Sequence, residues 1–388
     1  MHVIGLAIDT SAGAAYRAEL PMRALGEQGH RTEFIAWDQR DEPPPFEELR
    51  RADVVHMWRL FRGPARRLTT ALREAGVGVV FDNDDDMTRV PKGSPAYREM
   101  KPAREQIAKE LGSMLRLTDM VTTTCGELAG RLRRLGGGDV RVVENYVEPS
   151  FLRERRGNGD EVVIGWVAGM EHRGDLKDLR LRRALQQLLD AHPHVRLECV
   201  GVDAGVRSDR YVHRPSAHFQ ELPDVISGWD VGLAPIANVS FNRVRSNIKV
   251  KEYAAAGVPW LASPIGPYRD LGPQQGGRLV ADFRWLEELT DIVTDTQARA
   301  ELTEQAAAWG RTQTVTYNAA EWEAVFAEVA ERAGRSVAVS VSRGGGAAES
   351  APAAASGGAR RPVTPRPDPV ASQPAPERRR GLFRRRSR

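Results

Sequence analysis

The stretch RVRSNIKVKEYAAAGVPWLASPIGPYRD, residues 243–270, sets Ser246, Asn247, Lys249 and Glu252 together ahead of small residues, a glycine and an apolar run. That order predicts a helix from about Ser246 to Ala256, followed by a buried strand. The run DVGLAPI just upstream predicts a strand to Ile236, so the stretch reads as strand, loop, helix, strand. In open parallel sheets, ligands bind outside the carboxyl ends of the strands, where loops lead into helices. Ser246 would cap the helix, whose first turn offers unpaired N–H groups at the positive end of the dipole. Such a terminus suits phosphate. Lys249 adds a mobile cation one turn in, and Glu252 can accept hydrogen bonds from sugar hydroxyls. The same residues also fit a capped amphipathic helix with a surface Lys–Glu pair.

Working outward, residues 1–330 alternate short Val/Ile-rich runs with Ala/Leu/Arg/Glu-rich helical stretches. HVIGLAI, TEFIAW, DVVHMW, GVGVVFD, DMVTTT and VRVVENYV come first; EVVIGWV, VRLECVG, DVGLAPI, VPWLASPIG and GRLV follow. Continuous apolar strands between amphipathic helices imply parallel sheets covered on both faces. These eleven runs are too many for one doubly wound domain, and the polar stretch EPSFLRERRGNGDE, 148–161, marks a break. The expected fold is α/β, with two Rossmann-like doubly wound domains, 1–150 and 151–314, facing a cleft. A helix at 315–334 is expected to pack on the body. The Ala/Pro/Gly/Arg-rich segment 335–388 cannot bury enough apolar surface to fold and is expected to be disordered.

Composition narrows the function. The 388 residues are 41% hydrophobic, and no apolar run approaches the roughly 20 residues of a membrane span. MHVIGLAID reads as a first buried strand rather than a secretory signal. Cys125 and Cys199 are the only cysteines, far apart, which argues against a disulfide framework or a cysteine metal site. A cytoplasmic protein is the simplest reading. The net charge of +4 comes from the tail: residues 331–388 hold 13 Arg and 4 acids, so the remaining 330 residues sum to 4 − 9 = −5. Basic character is therefore no argument for specific nucleic-acid binding by the folded part. The terminal ERRRGLFRRRSR either keeps the tail soluble or draws it weakly and reversibly to anionic lipid at the inner membrane face. No Ser/His/Asp order, HExxH, P-loop or zinc spacing occurs.

Four further places carry candidate chemistry. In GWVAGMEHRGDLKDL, Gly165 and Gly169 bracket a strand end, and His172, Arg173 and Lys177 follow. A glycine turn lets backbone approach phosphate and basic residues complete a clamp, although a plain strand-to-helix turn has the same spacing. In DTSAGAAYRAELP, small residues precede Gly13, Tyr16 and Arg17 at a helix start, where an acceptor could approach. His56 ends the run DVVHM near a strand's carboxyl end; it is either structural or a cleft residue. In FDNDDDM, Asp84, Asp85 and Asp86 could bind Mg²⁺ or Mn²⁺, cap the next segment, or hold acceptor hydroxyls.

With these residues in view, SNIKVKEYAAAGVPWLASPIGPYRDL resembles the C-terminal signature of GT-B glycosyltransferases of the retaining, family-four type. VVIGWVAGMEHRGDLKDL is similar to that family's first strand and glycine turn of the nucleotide domain. YRAELPMRALGEQGH resembles its first N-terminal helix, and VRVVENYVEPSFL its strand into the linker. The resemblance implies that Glu252 contacts the nucleotide ribose and that Ser246, Asn247 and Lys249 meet the diphosphate, with Gly169 and either Arg173 or Lys177 completing the donor site. It favours the cleft for Gly13 and Arg17 and has His172 line it; Gly13, Tyr16, Arg17 and Asp85 are the expected acceptor side, and His56, His172 and Lys249 are the catalytic candidates. It implies no cofactor beyond the nucleotide-sugar co-substrate and no metal. One departure stands out: many members carry a further Glu eight residues before the ribose Glu, and here Val244 holds that position. The implied function is retaining transfer of a sugar from a nucleotide diphosphate donor to an acceptor. Alternatives are a sugar-nucleotide epimerase, a non-catalytic nucleotide- or glycan-binding protein, or a nucleic-acid binder acting through its tail.

Overall fold

The apolar runs become strands, and the strands sort into two six-stranded sheets in the computed structural model, which describes residues 1–39, 43–92, 94 and 97–334. The tail expected at 335–388 lies outside the described residues. The first sheet contains β1 (His2–Ala7), β2 (Arg31–Ala36), β3 (Val54–Trp58), β4 (Gly78–Asp82), β5 (Met120–Thr123) and β6 (Val140–Val142), in the order β2-β1-β3-β4-β5-β6. The second contains β7 (Val162–Ala168), β8 (Val195–Gly201), β9 (Tyr211–Arg214), β10 (Val231–Ala234), β11 (Trp260–Ala262) and β12 (Gly277–Leu279). Its order is β12-β11-β10-β7-β8-β9. Neighbouring strands pair parallel throughout. Each sheet reverses its winding once, between β1 and β3 and between β7 and β10, which is where doubly wound sheets open a crevice.

Burial follows the layering. Every residue of β3 and β4 is buried because helices cover both faces of the sheet, which is why these strands read as unbroken apolar runs. At the edge, β9 alternates half-buried and exposed residues. Its sequence, YVHR, gave no apolar run to find.

The helix of the quoted stretch runs Ile248–Ala255, two residues shorter at its start than expected. Asn247 precedes it without a side-chain cap, and the Ser246 hydroxyl instead accepts a hydrogen bond from Asn145 Nδ2 at 3.1 Å. The helix ends as its glycine dictates. Gly257 takes φ +67°, its N–H reaches the Ala254 carbonyl at 2.9 Å, and the Val258 N–H reaches that of Tyr253 at 2.9 Å. This pair of bonds is a Schellman cap, which turns the chain directly into β11.

The last helix, Ala319–Arg332, leaves the second domain. Val147 donates to the Gln313 carbonyl at 2.9 Å and accepts from Val315 N–H at 2.8 Å, so the incoming and outgoing chains cross side by side. Beyond that crossing, Trp322, Val325, Phe326 and Val329 pack with Val3, Met22, Val54, Val80 and Met120. The body this helix covers is therefore the first domain, and the two domains are tied together twice. No helix among the described residues is long and apolar enough to cross a membrane.

Candidate functional site

The carboxyl ends of the two sheets face each other across a cleft of about 330 Å³. From the first domain come Gly13 and Tyr16 after β1, Arg59 after β3, and Asp84 and Asp85 after β4. From the second come Gly169 and Glu171 after β7, Gly201 at the end of β8, and Arg245, Ser246, Lys249 and Glu252 after β10. A recess of about 100 Å³ continues the cleft between the ends of β7 and β10 and brings in His172 and Tyr268. A larger hollow of about 520 Å³, lined by Pro273, Arg278 and Leu302 among others, lies away from these strand ends. Size alone does not locate the site; the switch points do.

Two glycines make the cleft floor possible. A Cβ on Gly169 would lie 2.3 Å from the Glu171 carboxylate. One on Gly201, at φ +93°, would lie 2.1 Å from the Ala168 carbonyl. A larger residue at Gly201 meets backbone at a strained φ, and one at Gly169 must displace the Glu171 carboxylate.

The charged groups form a chain of contacts. Glu252 accepts from Tyr16 Oη across the cleft at 2.5 Å and from Lys249 Nζ at 3.3 Å. Burial, and then the Glu252 carboxylate, push the Tyr16 phenol well above its usual range, so it stays the donor. Arg245 donates one Nη to Glu171 at 3.2 Å and the other to His172 Nε2 at 3.2 Å. Burial would raise the Glu171 carboxyl, but the Arg245 guanidinium beside it overrides that and holds it at about 2. Behind them, Asp175 spends one oxygen on Ala237 N–H and Asn242 Nδ2, both at 2.8 Å, and the other on His172 Nδ1 at 2.7 Å. A carboxylate only accepts and a guanidinium only donates, so the proton sits on Nδ1 and Nε2 receives Arg245. His172 thereby positions Arg245.

On the opposite wall, Arg59 sits at φ +55°, an uncommon conformation for a side chain of its size. Its guanidinium stacks on Trp58, 4.5 Å from the ring centroid, and donates to Asp84 and Asp85 at 2.7 Å each. Burial and the adjacent Asp84 push the Asp85 carboxyl up, against the pull of Arg59. Asp86 is held by Arg131 at 2.6 Å and Thr88 Oγ1 at 2.5 Å. The three aspartates are thus tied to guanidiniums in this state, and among the described residues no group of three or more His, Cys, Asp or Glu is placed to hold a metal ion.

The sequence candidates divide accordingly. Gly13, Tyr16, Asp85, Gly169, Ser246, Lys249 and Glu252 meet at the cleft, and His172 at its recess. Five others lie elsewhere, as corrections to the expected site. Arg173 and Lys177 stand four residues apart on the exposed face of Arg173–Asp178, and the guanidinium that enters the cleft is Arg245's. Arg17 is fully buried in a bidentate pair with Asp82, at 3.1 and 2.6 Å. His56 is buried edge-on against Trp322 and Phe326, on the sheet face that the last helix covers. Asn247 points away as well, its amide donating to Glu144 at 3.1 Å. Sequence reading gave no role to Arg245, Glu171 or Arg59. The first two are immediate neighbours of quoted motif residues, whereas Arg59 carried no spacing signal.

Val244, where the resemblance led to the expectation of a further Glu, is fully buried. It packs into the apolar cluster of the first domain, and its carbonyl faces Cys125 Sγ at 3.5 Å. An apolar peg joins the two domains there.

Comparison with known proteins agrees with this architecture. Residues 177–328 match the model of a glycosyl transferase-like family. HepE of Anabaena, solved with UDP-glucose, is 13% identical with a TM-score of 0.58, over 86% of this chain and 100% of its own. A Listeria monocytogenes protein described as a UDP-N-acetylglucosamine 2-epimerase is 10% identical with a TM-score of 0.53, over 84% of this chain and 98% of its own. TarM is 9% identical with a TM-score of 0.53, over 70% of this chain and 54% of its own. At these identities the likeness is one of fold, and the fold is GT-B. No curated protein sequence matches the chain.

Proposed function

We propose, from a GT-B fold whose second domain carries a glycosyl transferase-like sequence, that the protein transfers a sugar from a nucleoside diphosphate-sugar to an acceptor hydroxyl, with retention of configuration. One observation carries the reading. The N-terminus of Ile248–Ala255, Arg245, Lys249 and Glu252 converge at the ends of β7 and β10. Arg245 gives one N–H to Glu171 and one to His172, and Lys249 gives one of its three to Glu252, so both keep donors for phosphate oxygens. As the sugar–phosphate bond breaks, charge grows on the departing diphosphate, and these fixed cations and the helix dipole stabilise it. Glu252 takes the ribose hydroxyls in exchange for the Tyr16 hydroxyl. The acceptor attacks on the leaving-group face with the phosphate taking its proton, so no protein nucleophile is needed. Uridine is the base to test first, because HepE was solved with UDP-glucose.

Thermal unfolding of the full chain with UDP, GDP or ADP tests the donor site. A nucleotide at 100 times its Kd adds about 2.7 kcal/mol of stability. One base should do so, and Arg245→Ala, Lys249→Ala and Glu252→Ala should each lose most of the effect. With the matching nucleotide-sugar, slow release of free sugar with the donor's anomeric configuration, read by NMR, supports retention. Release of epimerised nucleotide-sugar replaces transfer by epimerisation. A chain that no nucleoside diphosphate stabilises has no donor site here.

A further inference from the structure

A second cavity, of about 230 Å³, opens on the first domain beside the cleft, and the donor reading leaves it unused. Met87, Tyr97 and Met100 give it apolar walls, and Arg89, Lys101 and Arg104 bring three cations to it. It adjoins the cleft along the chain, since Asp85 lines one and Met87 the other. Ser240, from the loop after β10, closes one side, where Arg89 Nη1 donates to its hydroxyl at 3.4 Å.

The cations exceed what local ion pairing uses. Arg89 stands 3.6 Å from Asp86, a carboxylate that Arg131 already holds at 2.6 Å. Lys101 and Arg104 have no carboxylate partner among the described residues; Lys101 lies over the Tyr97 ring at 5.6 Å. Residues 87–104 carry Arg89, Lys92, Arg98, Lys101 and Arg104 against Glu99 alone, 5 − 1 = +4, within 330 residues that sum to −5. Guanidinium and ammonium groups in excess of their carboxylate partners among the described residues, beside thioether and aromatic walls, recognise an anion carried on an organic stem.

We propose that this cavity is the anion-recognising part of the acceptor site, and that the acceptor bears a phosphate group while presenting its hydroxyl to the donor past Asp85. The inference rests on the transfer reading above. The test is isothermal titration of the full chain with n-octyl phosphate, glycerol 3-phosphate, neutral n-octyl glucoside and UDP. It compares the unaltered protein with Lys249→Ala and with the double variant Lys101→Ala/Arg104→Ala, whose two sites are exposed. Octyl phosphate should bind the unaltered protein and Lys249→Ala alike, and the double variant at least tenfold more weakly, with octyl glucoside silent. UDP should do the reverse, binding the double variant normally and Lys249→Ala weakly. Glycerol 3-phosphate binding as well as octyl phosphate assigns a soluble acceptor; octyl phosphate alone assigns a lipid one. Equal octyl phosphate affinity in the double variant overturns the proposal. UDP failing to bind the unaltered protein while octyl phosphate follows the expected pattern overturns the donor reading and takes the acceptor role from the cavity, so the two failures are separable.

Discussion

Tyr16 and Arg17 are adjacent in sequence and divide the labour of the site. Both lie in a widened turn, Ala15–Glu19, within the helical stretch after β1. Tyr16 reaches across to Glu252, whereas Arg17 turns inward to Asp82, Asn145 and the Val143 carbonyl under the Trp322 ring. Arg17→Met should leave Asp82 buried without its partner and cost about 3–5 kcal/mol, read as a fall in the urea midpoint. Arg17→Met/Asp82→Leu should recover much of that loss. The same pair predicts an acid response. Burial would raise the Asp82 carboxyl, but Arg17 holds it at about 2, below the roughly 3.9 of an unfolded chain. Its contribution, on the order of 2 kcal/mol, is present above about pH 4 and lost as pH falls toward 2. Asp82→Asn should therefore flatten the stability–pH curve between pH 4 and 2; an unchanged slope would refute the assignment. Arg17 read as a cleft cation from sequence because a basic residue at a helix start has the same letters whether it faces a ligand or a buried carboxylate.

At the scale of the element, the helix Ile248–Ala255 is set by its ends. Gly257 at φ +67° closes it, and Gly257→Ala should destabilise by about 1 kcal/mol with nucleotide affinity nearly kept, measured by thermal unfolding with and without UDP. Gly169→Ala should act in the opposite way. Its Cβ collides with the Glu171 carboxylate that pairs with Arg245, so nucleotide affinity should fall more than stability. The helix start was less legible than its end. A Ser before a helix is a good cap by propensity, yet Asn145 of the linker claims the Ser246 hydroxyl, a contact 101 residues apart in sequence. Capping is local, and the competing bond is not.

For the whole molecule, the telling feature is that the chain crosses twice. The last helix seals β1, β3 and β4 of the domain in which the chain began, with Trp322 and Phe326 fully buried. Trp322→Ala should cost about 3–5 kcal/mol, through the cavity and the exposed His56 and Arg17 beneath it. Because that helix belongs to the return crossing, the loss should lower the unfolding of both domains as one transition; two separated transitions would show that the crossings do not couple them. Val244 adds to the coupling from the other side. Val244→Glu should cost on the order of 3 kcal/mol because it buries a carboxylate in the first domain's apolar cluster.

The alternation of apolar runs and amphipathic stretches by itself determined two parallel sheets and their covering helices, since strands buried on both faces must be apolar throughout. The order Ser-Asn-x-Lys with Glu252 and Gly257 likewise marked the helix whose start lines the cleft, because a helix end is written in adjacent residues. Strand β9 escaped, being an exposed edge with no apolar pattern to detect. Only the tertiary structure decided which cations face the cleft. Arg173 and Lys177 lie on a solvent face while Arg245 is drawn in by Glu171 and His172, partners more than 70 residues away. It also decided which domain the final helix covers. Charge placement and docking depend on groups brought together by folding, and no local spacing records them.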